Sequence, residues 1–262
     1  MRINNYVAPD NLAEAYLVLN EHNSNTVLGG CTYLRLTSKN IDTAIDLSRL
    51  GLRYIEETAD AVEIGALATY RDIEVSGILQ SLFSGVLPQS VMVIVGVQFR
   101  NLATVGATVY SRYGFSDLNT ALLALNPEVV LYHAGRIPMA LFLEQGASKD
   151  ILEKVIIPKA DLRASFKYLR NSSGDYAILN VAVARSRDEW KIVVGARPFR
   201  AMIAAEASKC LSGSRLQKED IERAAKTTAD ELEFGTNMRS SREYRQAVCE
   251  VLVQRAIQEV IS

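Results

Sequence analysis

"TVLGGCTYLRLTSK", residues 26–39, is an apolar run that stops on two adjacent glycines and continues through small polar residues into an apolar-periodic stretch. That is the pattern of a short strand handing over to a helix. Gly29 and Gly30 at the junction have two readings. Either the chain turns tightly there, or something approaches the backbone more closely than a Cβ would permit. Backbone N–H groups at a helix start are unpaired and partly positive, which suits a phosphate, and Thr32 adds a hydroxyl donor. Strand–Gly–Gly–helix turns also occur in many proteins that bind nothing. "GGCTYL" lacks the third glycine of a dinucleotide fingerprint, and no acidic residue closes a clear ribose site. Alone, the stretch argues for an α/β beginning and leaves the ligand open.

Working outward, "INNYVAP" reads as a strand, "DNLAEAYLVLNEH" as a helix, "TVLGG" as a second strand and "TAIDLS" as a third. Asp10 is the expected N-cap of that helix, with Leu12, Ala15, Leu17 and Leu19 as its apolar positions. A short helix is expected over 32–38, and strands separated by helices at this spacing suggest a βαβ unit with a parallel pair. "GLRYIEETADAVEIGAL" looks like a hairpin, Thr69 caps a helix, and a longer helix is expected over 77–96. A loop rich in small and polar residues then runs to a helix at Asp117, and strands follow near 128–133 and 151–157. From residue 161 the character changes. "ASFKYLR", "YAILNVAVARS" and "EWKIVVGARPF" read as three antiparallel strands, followed by helices near 199–211, 217–232 and 241–260. Strands followed by helices argue for an α+β C-terminal domain.

Composition narrows the function. The 262 residues carry a formal net charge of −1 and are 48% hydrophobic, ordinary globular material with room for two or three subdomains. There is no basic stripe for nucleic acid. The longest apolar run, "VMVIVGV" at 91–97, is far short of a membrane span. No secretory signal is visible in "MRINNYVAPDNLAEA", and cytoplasm is the expected location. The three cysteines, Cys31, Cys210 and Cys249, form no CxxC pair, so the chain is a poor host for an iron–sulfur cluster. The two histidines, His22 and His133, have no partner at metal-ligand spacing. No nucleophile–His–acid set stands out, so no catalytic or metal-binding residue is expected.

The second loop, "NLATVGATVYSRYGFSDL", again sets a small hydroxyl residue, Thr104, beside a glycine, Gly106, and leads to the helix at Asp117. Asp117 has an ordinary reading as an N-cap. Two such loops in separate subdomains, each at a helix entrance, can hold one pyrophosphate between them. Neither has an acid, base or nucleophile attached, a combination that suggests a cofactor carrying the chemistry itself.

On these residues the chain resembles the FAD-binding medium subunit of molybdenum hydroxylases, the group of xanthine dehydrogenase and carbon monoxide dehydrogenase. "VLGGCTYL" at 27–34 is similar to the family's Gly-Gly loop. "FRNLATVGAT" at 99–108 resembles its Arg-Asn-x-Ala lead-in and its Thr-[Ile/Val]-Gly-Gly-Asn motif. "SD" at 116–117 is similar to the Ser/Ala-Asp that follows. "SSREYRQAVCEVLVQRAI" at 240–257 resembles the closing helix, with Tyr244, Arg245 and Arg255-Ala256. Order and spacing match across nearly the whole chain.

The resemblance implies an α+β, vanillyl-alcohol-oxidase-type FAD-binding fold. It has two α/β subdomains (about 1–58 and 59–160) and a C-terminal domain (161–262) with a three-stranded antiparallel sheet and helices. It implies FAD phosphate contacts from Val27, Leu28, Gly29, Gly30, Cys31, Thr32, Tyr33 and Leu34, so that a side chain at Gly30 would meet the phosphate. It further implies a flavin-side contact at Ile94, pyrophosphate contacts from Thr104 and Gly106, and cofactor hydroxyls on Asp117. Leu152 would lie near the ring, and Lys167 would approach the flavin. The partners implied are an iron–sulfur subunit and a molybdenum-cofactor subunit, with NAD or another molecule as acceptor. Tyr110, Tyr113 and Phe115 either help dock them or pack on the flavin or the core. The chain departs from the motif at Ala107 and Thr108, where the family has glycine and asparagine. A methyl at Ala107 is expected to weaken the phosphate approach, with Arg112 either a compensating partner or solvated surface. These departures are the basis of the alternative, a flavin-free scaffold subunit.

Overall fold

The computed structural model describes residues 1–146 and 148–262. Strand β1 (Arg2–Val7) is followed by helix α1 (Leu12–Glu21), β2 (Thr26–Leu28), β3 (Asn40–Asp46), β4 (Ile55–Glu57), β5 (Ala61–Gly65) and α2 (Tyr70–Val75). A series of short helices comes next: α3 (Gly77–Ser81), α4 (Val86–Met92), α5 (Val97–Arg100), α6 (Val105–Ser111) and α7 (Asp117–Ala124). Then come β6 (Glu128–Leu131), β7 (Gly135–Pro138), α8 (Met139–Gln145) and β8 (Leu152–Pro158). Strands β9 (Arg163–Arg170), β10 (Ala177–Ser186), β11 (Glu189–Gly195) and β12 (Met202–Ile203) precede helices α9 (Ala205–Leu211), α10 (Lys218–Glu231) and α11 (Arg242–Ile261).

Two compact units emerge. The first joins Met1–Ile73, Gly96–Ser111 and Pro127–Pro158. It contains a parallel sheet in the order β1-β3-β2 and an antiparallel sheet in the order β4-β5-β8-β6-β7. The expected βαβ unit is therefore present, with β3 as its central strand. Ala15 and Leu19 of α1 pack with Ile45, Leu47 and Ile151. The cap of α1 is Asn11 rather than Asp10, because its Oδ1 accepts the Glu14 N–H at 2.9 Å. Leu17, expected on the apolar stripe, is 66% exposed.

The second unit joins Glu74–Val95, Arg112–Asn126 and Lys159–Ser262. Its sheet has the order β12-β11-β10-β9 and is antiparallel, with the two-residue β12 added to the three expected strands. Strand β10 is buried from Ala177 to Ala184, which is why "AILNVAVA" shows no alternation of apolar and polar residues. Leu179, Val181 and Val183 share a core with Cys249, Val253, Ala256 and Ile257 of α11 and Ala224, Ala225 and Ala229 of α10.

Several expected elements change at tertiary level. The helix over 77–96 is broken at Phe83, Ser84 and Gly85, three consecutive left-handed residues with φ of 55°, 56° and 67°. The short helix over 32–38 shrinks to a 3-10 turn at Leu34–Leu36. The supposed loop before Asp117 contains α6, and β7 and α8 were not expected. Helix α9 starts only at Ala205, since 202–203 belong to β12. Ser116, not Asp117, caps α7, its Oγ accepting the Asn119 N–H at 3.1 Å.

Candidate functional site

The glycine pair has a structural reason. A Cβ built on Gly30 would lie 1.4 Å from the Leu102 carbonyl oxygen, and one on Gly29 would lie 2.5 Å from the Ala107 methyl and 3.0 Å from Thr104 Oγ1. A side chain at Gly30 would thus strike Leu102 before any ligand, which corrects the expectation that it would meet a phosphate. The close approach is made by the second loop, so 27–34 and 102–108 form one cluster within the first unit. Cys31 adopts a left-handed backbone, φ 55°. Among the described residues, the backbone N–H groups of Gly29, Gly30, Cys31 and Thr32 have no acceptor. A left-handed residue within such a run turns successive N–H groups toward a common side, the geometry of an anion cradle. These residues are half-buried.

The second loop is anchored from below by residues 66–70. Gly106 N–H donates to the Ala66 carbonyl at 2.8 Å, Val105 N–H to Ala68 at 2.9 Å, and Tyr70 N–H to Ala103 at 2.9 Å. Gly106 therefore has its N–H engaged within the protein, and its missing side chain allows contact with Ala66, whose Cβ would be 2.7 Å from a Cβ at 106. Thr104 is 6% exposed, and its Oγ1 accepts the Ala107 N–H at 3.4 Å. The two departures from the family motif are absorbed by packing. The Ala107 methyl covers Gly29, and Thr108 Oγ1 bonds to the Thr104 carbonyl and to the Tyr70 hydroxyl, both at 2.8 Å. Sequence reasoning missed Ala66 and Tyr70. The run of small residues in "IGALAT" was the one available signal, and nothing local marks Tyr70.

The remaining sequence-predicted residues fall as follows. Leu152, on β8 in the first unit, is buried opposite Leu131. Ile94, Asp117 and Lys167 belong to the second unit. Ile94 is half-buried in the turn after α4, and its N–H donates to the Val91 carbonyl. Asp117 is 4% exposed; its Oδ2 accepts from Arg170 at 2.6 Å and its Oδ1 from Asn180 at 2.7 Å. Burial raises its pKa, against the pull of the Arg170 guanidinium and the Asn180 amide. Thr120 donates to Asn180 at 2.8 Å, and a Cβ at Gly195 would sit 2.1 Å from that threonine oxygen, so glycine makes room for the network. Lys167 pairs with Glu259 of α11. The aromatics divide: Tyr110 packs on Phe142 and bonds to Ser148 and Asp150 in the first unit. Tyr113, 43% exposed, stacks on Phe115 in the second. Arg245, from the closing-helix motif, is fully buried and donates to the carbonyls of Ile178, Gly235 and Ser240 and to Asn237 Oδ1. Its role is to hold the loop before α11.

The chemistry of the loop cluster is that of a binding site. Burial and nearby Asp46 push the Cys31 thiol pKa up, keeping it a weak donor to the Gly29 carbonyl rather than a nucleophile. Among the described residues no group of His, Cys, Asp and Glu could hold a metal ion, and no helix is long and apolar enough to cross a membrane. The half-buried N–H groups without acceptors, beside the Thr104 hydroxyl, fit the pyrophosphate of FAD.

A parallel βαβ layer, an antiparallel five-stranded sheet and an α+β C-terminal part define the class of flavoprotein to which the sequence pointed. Residues 1–160 match the model described as the FAD binding domain in molybdopterin dehydrogenase, and the chain belongs to that family. Residues 164–260 match the CO dehydrogenase flavoprotein C-terminal domain. The chain is 29% identical to the glyceraldehyde dehydrogenase medium chain of Sulfolobus acidocaldarius, over 97% of each protein. It is 25% identical to the nicotine 6-hydroxylase medium subunit of Paenarthrobacter nicotinovorans, over 97% of this chain and 96% of that one. Its fold is that of a chain in carbon monoxide dehydrogenase from Hydrogenophaga pseudoflava, with a TM-score of 0.91 at 24% identity, covering 100% of this chain and 98% of the other. The protein is thus an FAD-binding medium subunit of the molybdenum hydroxylase type, an oxidoreductase component.

Proposed function

We propose that the chain receives electrons from an iron–sulfur partner subunit and delivers them, by way of its FAD, to NAD or another soluble acceptor. A molybdenum-cofactor subunit would oxidise the substrate. Bound FAD supplies electron exchange both singly and in pairs, which links one-electron donors to two-electron acceptors. The chain's own residues bind and orient. The N–H groups of Gly29 to Thr32 hold the pyrophosphate, with Val27, Leu28, Tyr33 and Leu34 shaping the loop. Thr104 adds a hydroxyl donor, and Gly106 lets its loop seat on Ala66. Ile94, Leu152 and Lys167 serve the flavin, and any cofactor hydroxyl on Asp117 shares that carboxylate with Arg170 and Asn180. Residues 1–160 act as the FAD-binding domain and 161–262 as the C-terminal domain. Three free cysteines accord with a reducing compartment, and cytoplasm is the proposed location.

The observation that carries this reading is the direct packing of the two loops, which sets Thr104 beside the run of N–H groups without acceptors. The flavin-free scaffold drew on Ala107 and Thr108, and both are accommodated inside the first unit. The test is purification from the native host, with a visible spectrum and a substrate-dependent reduction assay. A two-band flavin spectrum, co-purifying iron–sulfur and molybdenum subunits, and NAD reduction dependent on hydroxylase substrate are expected. A colourless chain that does not titrate FAD would return the scaffold reading. Dye reduction without NAD reduction would remove NAD and leave another soluble acceptor.

A further inference from the structure

We propose that Tyr70 and Thr108 are positioning residues that lock the first turn of α6 so that Thr104 stays against the glycine loop. The proposal rests on the reading that this loop cluster holds FAD. The chain of contacts is continuous. A threonine hydroxyl has one hydrogen, and that of Thr108 goes to the Thr104 carbonyl at 2.8 Å. The 2.8 Å contact between Tyr70 and Thr108 is therefore a bond donated by the phenol. The Thr104 carbonyl also accepts the Thr108 N–H at 3.1 Å, so residue 108 returns two bonds to residue 104. Back-bonding of this kind tilts a helical turn. Tyr70, 6% exposed, grips the same segment a second time through its own N–H to Ala103, beside the bridge between Thr69 and Thr104. The hydroxyl at 108, where the family motif carries asparagine, thus joins the turn 66–70 to the loop. Its effect on a ligand passes through Thr104, which lies 3.0 Å from the Cβ position of Gly29.

The test uses the full chain, stripped of flavin and titrated with FAD, and compares Tyr70→Phe, Thr108→Val, the double variant and Thr108→Ser. Tyr70→Phe removes one oxygen and keeps the buried ring, so folding is preserved. Each of the first two variants should weaken FAD binding about fivefold, the value of roughly one hydrogen bond. The double variant should lose no more than about tenfold, because both changes break the Tyr70–Thr108 bond and Thr108→Val adds only the loss of the side-chain bond to the Thr104 carbonyl. Thr108→Ser, which keeps the hydroxyl, should bind within about twofold of the parent. Hydrogen exchange at the amides of 107 and 108 in the flavin-free chain should quicken in Tyr70→Phe and Thr108→Val. Parental affinity in Tyr70→Phe, a Thr108→Ser loss equal to that of Thr108→Val, or a double loss equal to the product of the single losses would overturn the proposal. So would a lowered melting temperature with unchanged FAD affinity, which marks a merely structural role. If the parent itself binds no FAD, the reading of the site fails and the proposal with it. If the parent binds FAD and exchange at 107 and 108 is unchanged in Tyr70→Phe and Thr108→Val, the lock alone is defeated.

Discussion

Replacing Gly30 with alanine puts a methyl carbon 1.4 Å from the Leu102 carbonyl oxygen and 2.3 Å from its carbon. Both are backbone atoms, so no rotamer change relieves the clash. Restoring an ordinary contact near 3.4 Å requires the two loops to separate by about 2 Å. That movement disturbs the N–H groups of Leu102 and Ala103, which both donate to Phe99 at 3.0 Å, and the Ala103 carbonyl, which accepts from Tyr70. Overpacking costs about 1–3 kcal/mol, and each lost backbone bond about 1 kcal/mol more. A total of about 2–4 kcal/mol lowers the melting temperature by roughly 5–15 °C in a chain of this size. Losing even about 2 kcal/mol of loop organisation weakens FAD binding roughly thirtyfold. Scanning fluorimetry of flavin-free protein, followed by calorimetric titration with FAD, measures both. The fall in melting temperature should be present before FAD is added, because the clash is with the protein. A Gly30→Ala variant that melts with the parent when flavin-free, and loses only FAD affinity, would refute the reasoning and restore direct contact between Gly30 and the phosphate.

Gly29→Ala alone should cost about 1–3 kcal/mol by meeting the Ala107 methyl, and the double variant Gly29→Ala/Ala107→Gly should recover most of it. Urea unfolding of the four proteins measures the coupling. Ala107→Gly by itself should lose about 1 kcal/mol of helix stability and give no gain in FAD affinity, since that methyl faces Gly29. Asp72→Asn should weaken the box that starts α2, in which Thr69 N–H donates to Asp72 Oδ2 at 2.8 Å and Asp72 N–H to Thr69 Oγ1 at 3.1 Å. Burial alone would raise the Asp72 pKa, but the bonds from Arg53 and Thr69 hold it below the ordinary carboxylate value. A depressed folded-state pKa means stability that is present above the unfolded value, near 3.9, and lost as pH falls through the folded one. The difference from the parent should thus be about 1 kcal/mol at neutral pH and vanish in strong acid. Arg245→Met should destabilise by about 3 kcal/mol, read in the same unfolding assay, because it leaves the Ile178, Gly235 and Ser240 carbonyls without their shared donor.

The sequence by itself determined the elements whose signals are local. The apolar run ending at Gly29, the hairpin of β4 and β5 and the long helices α10 and α11 are set by neighbours in the chain. Capping is local too, and it was legible at Thr69 while misread by one residue at Asn11 and at Ser116. Both loops of the candidate site were visible as clusters of small and hydroxyl residues, and the family motifs marked Arg245 without saying what it does. Tertiary structure decided the rest. It alone shows that Gly29 and Gly30 are shaped by Leu102, Thr104 and Ala107, that Thr108 turns inward to Tyr70, and that Asp117 is buried between Arg170 and Asn180. It also breaks 77–96 at three left-handed residues and makes a helix of 105–111, whose first N–H groups are taken up by Ala66 and Ala68. Helix propensity and hydrophobic period act over a few residues. Steric exclusion and buried hydrogen bonding act between segments far apart in the chain, and only folding brings those segments within contact distance.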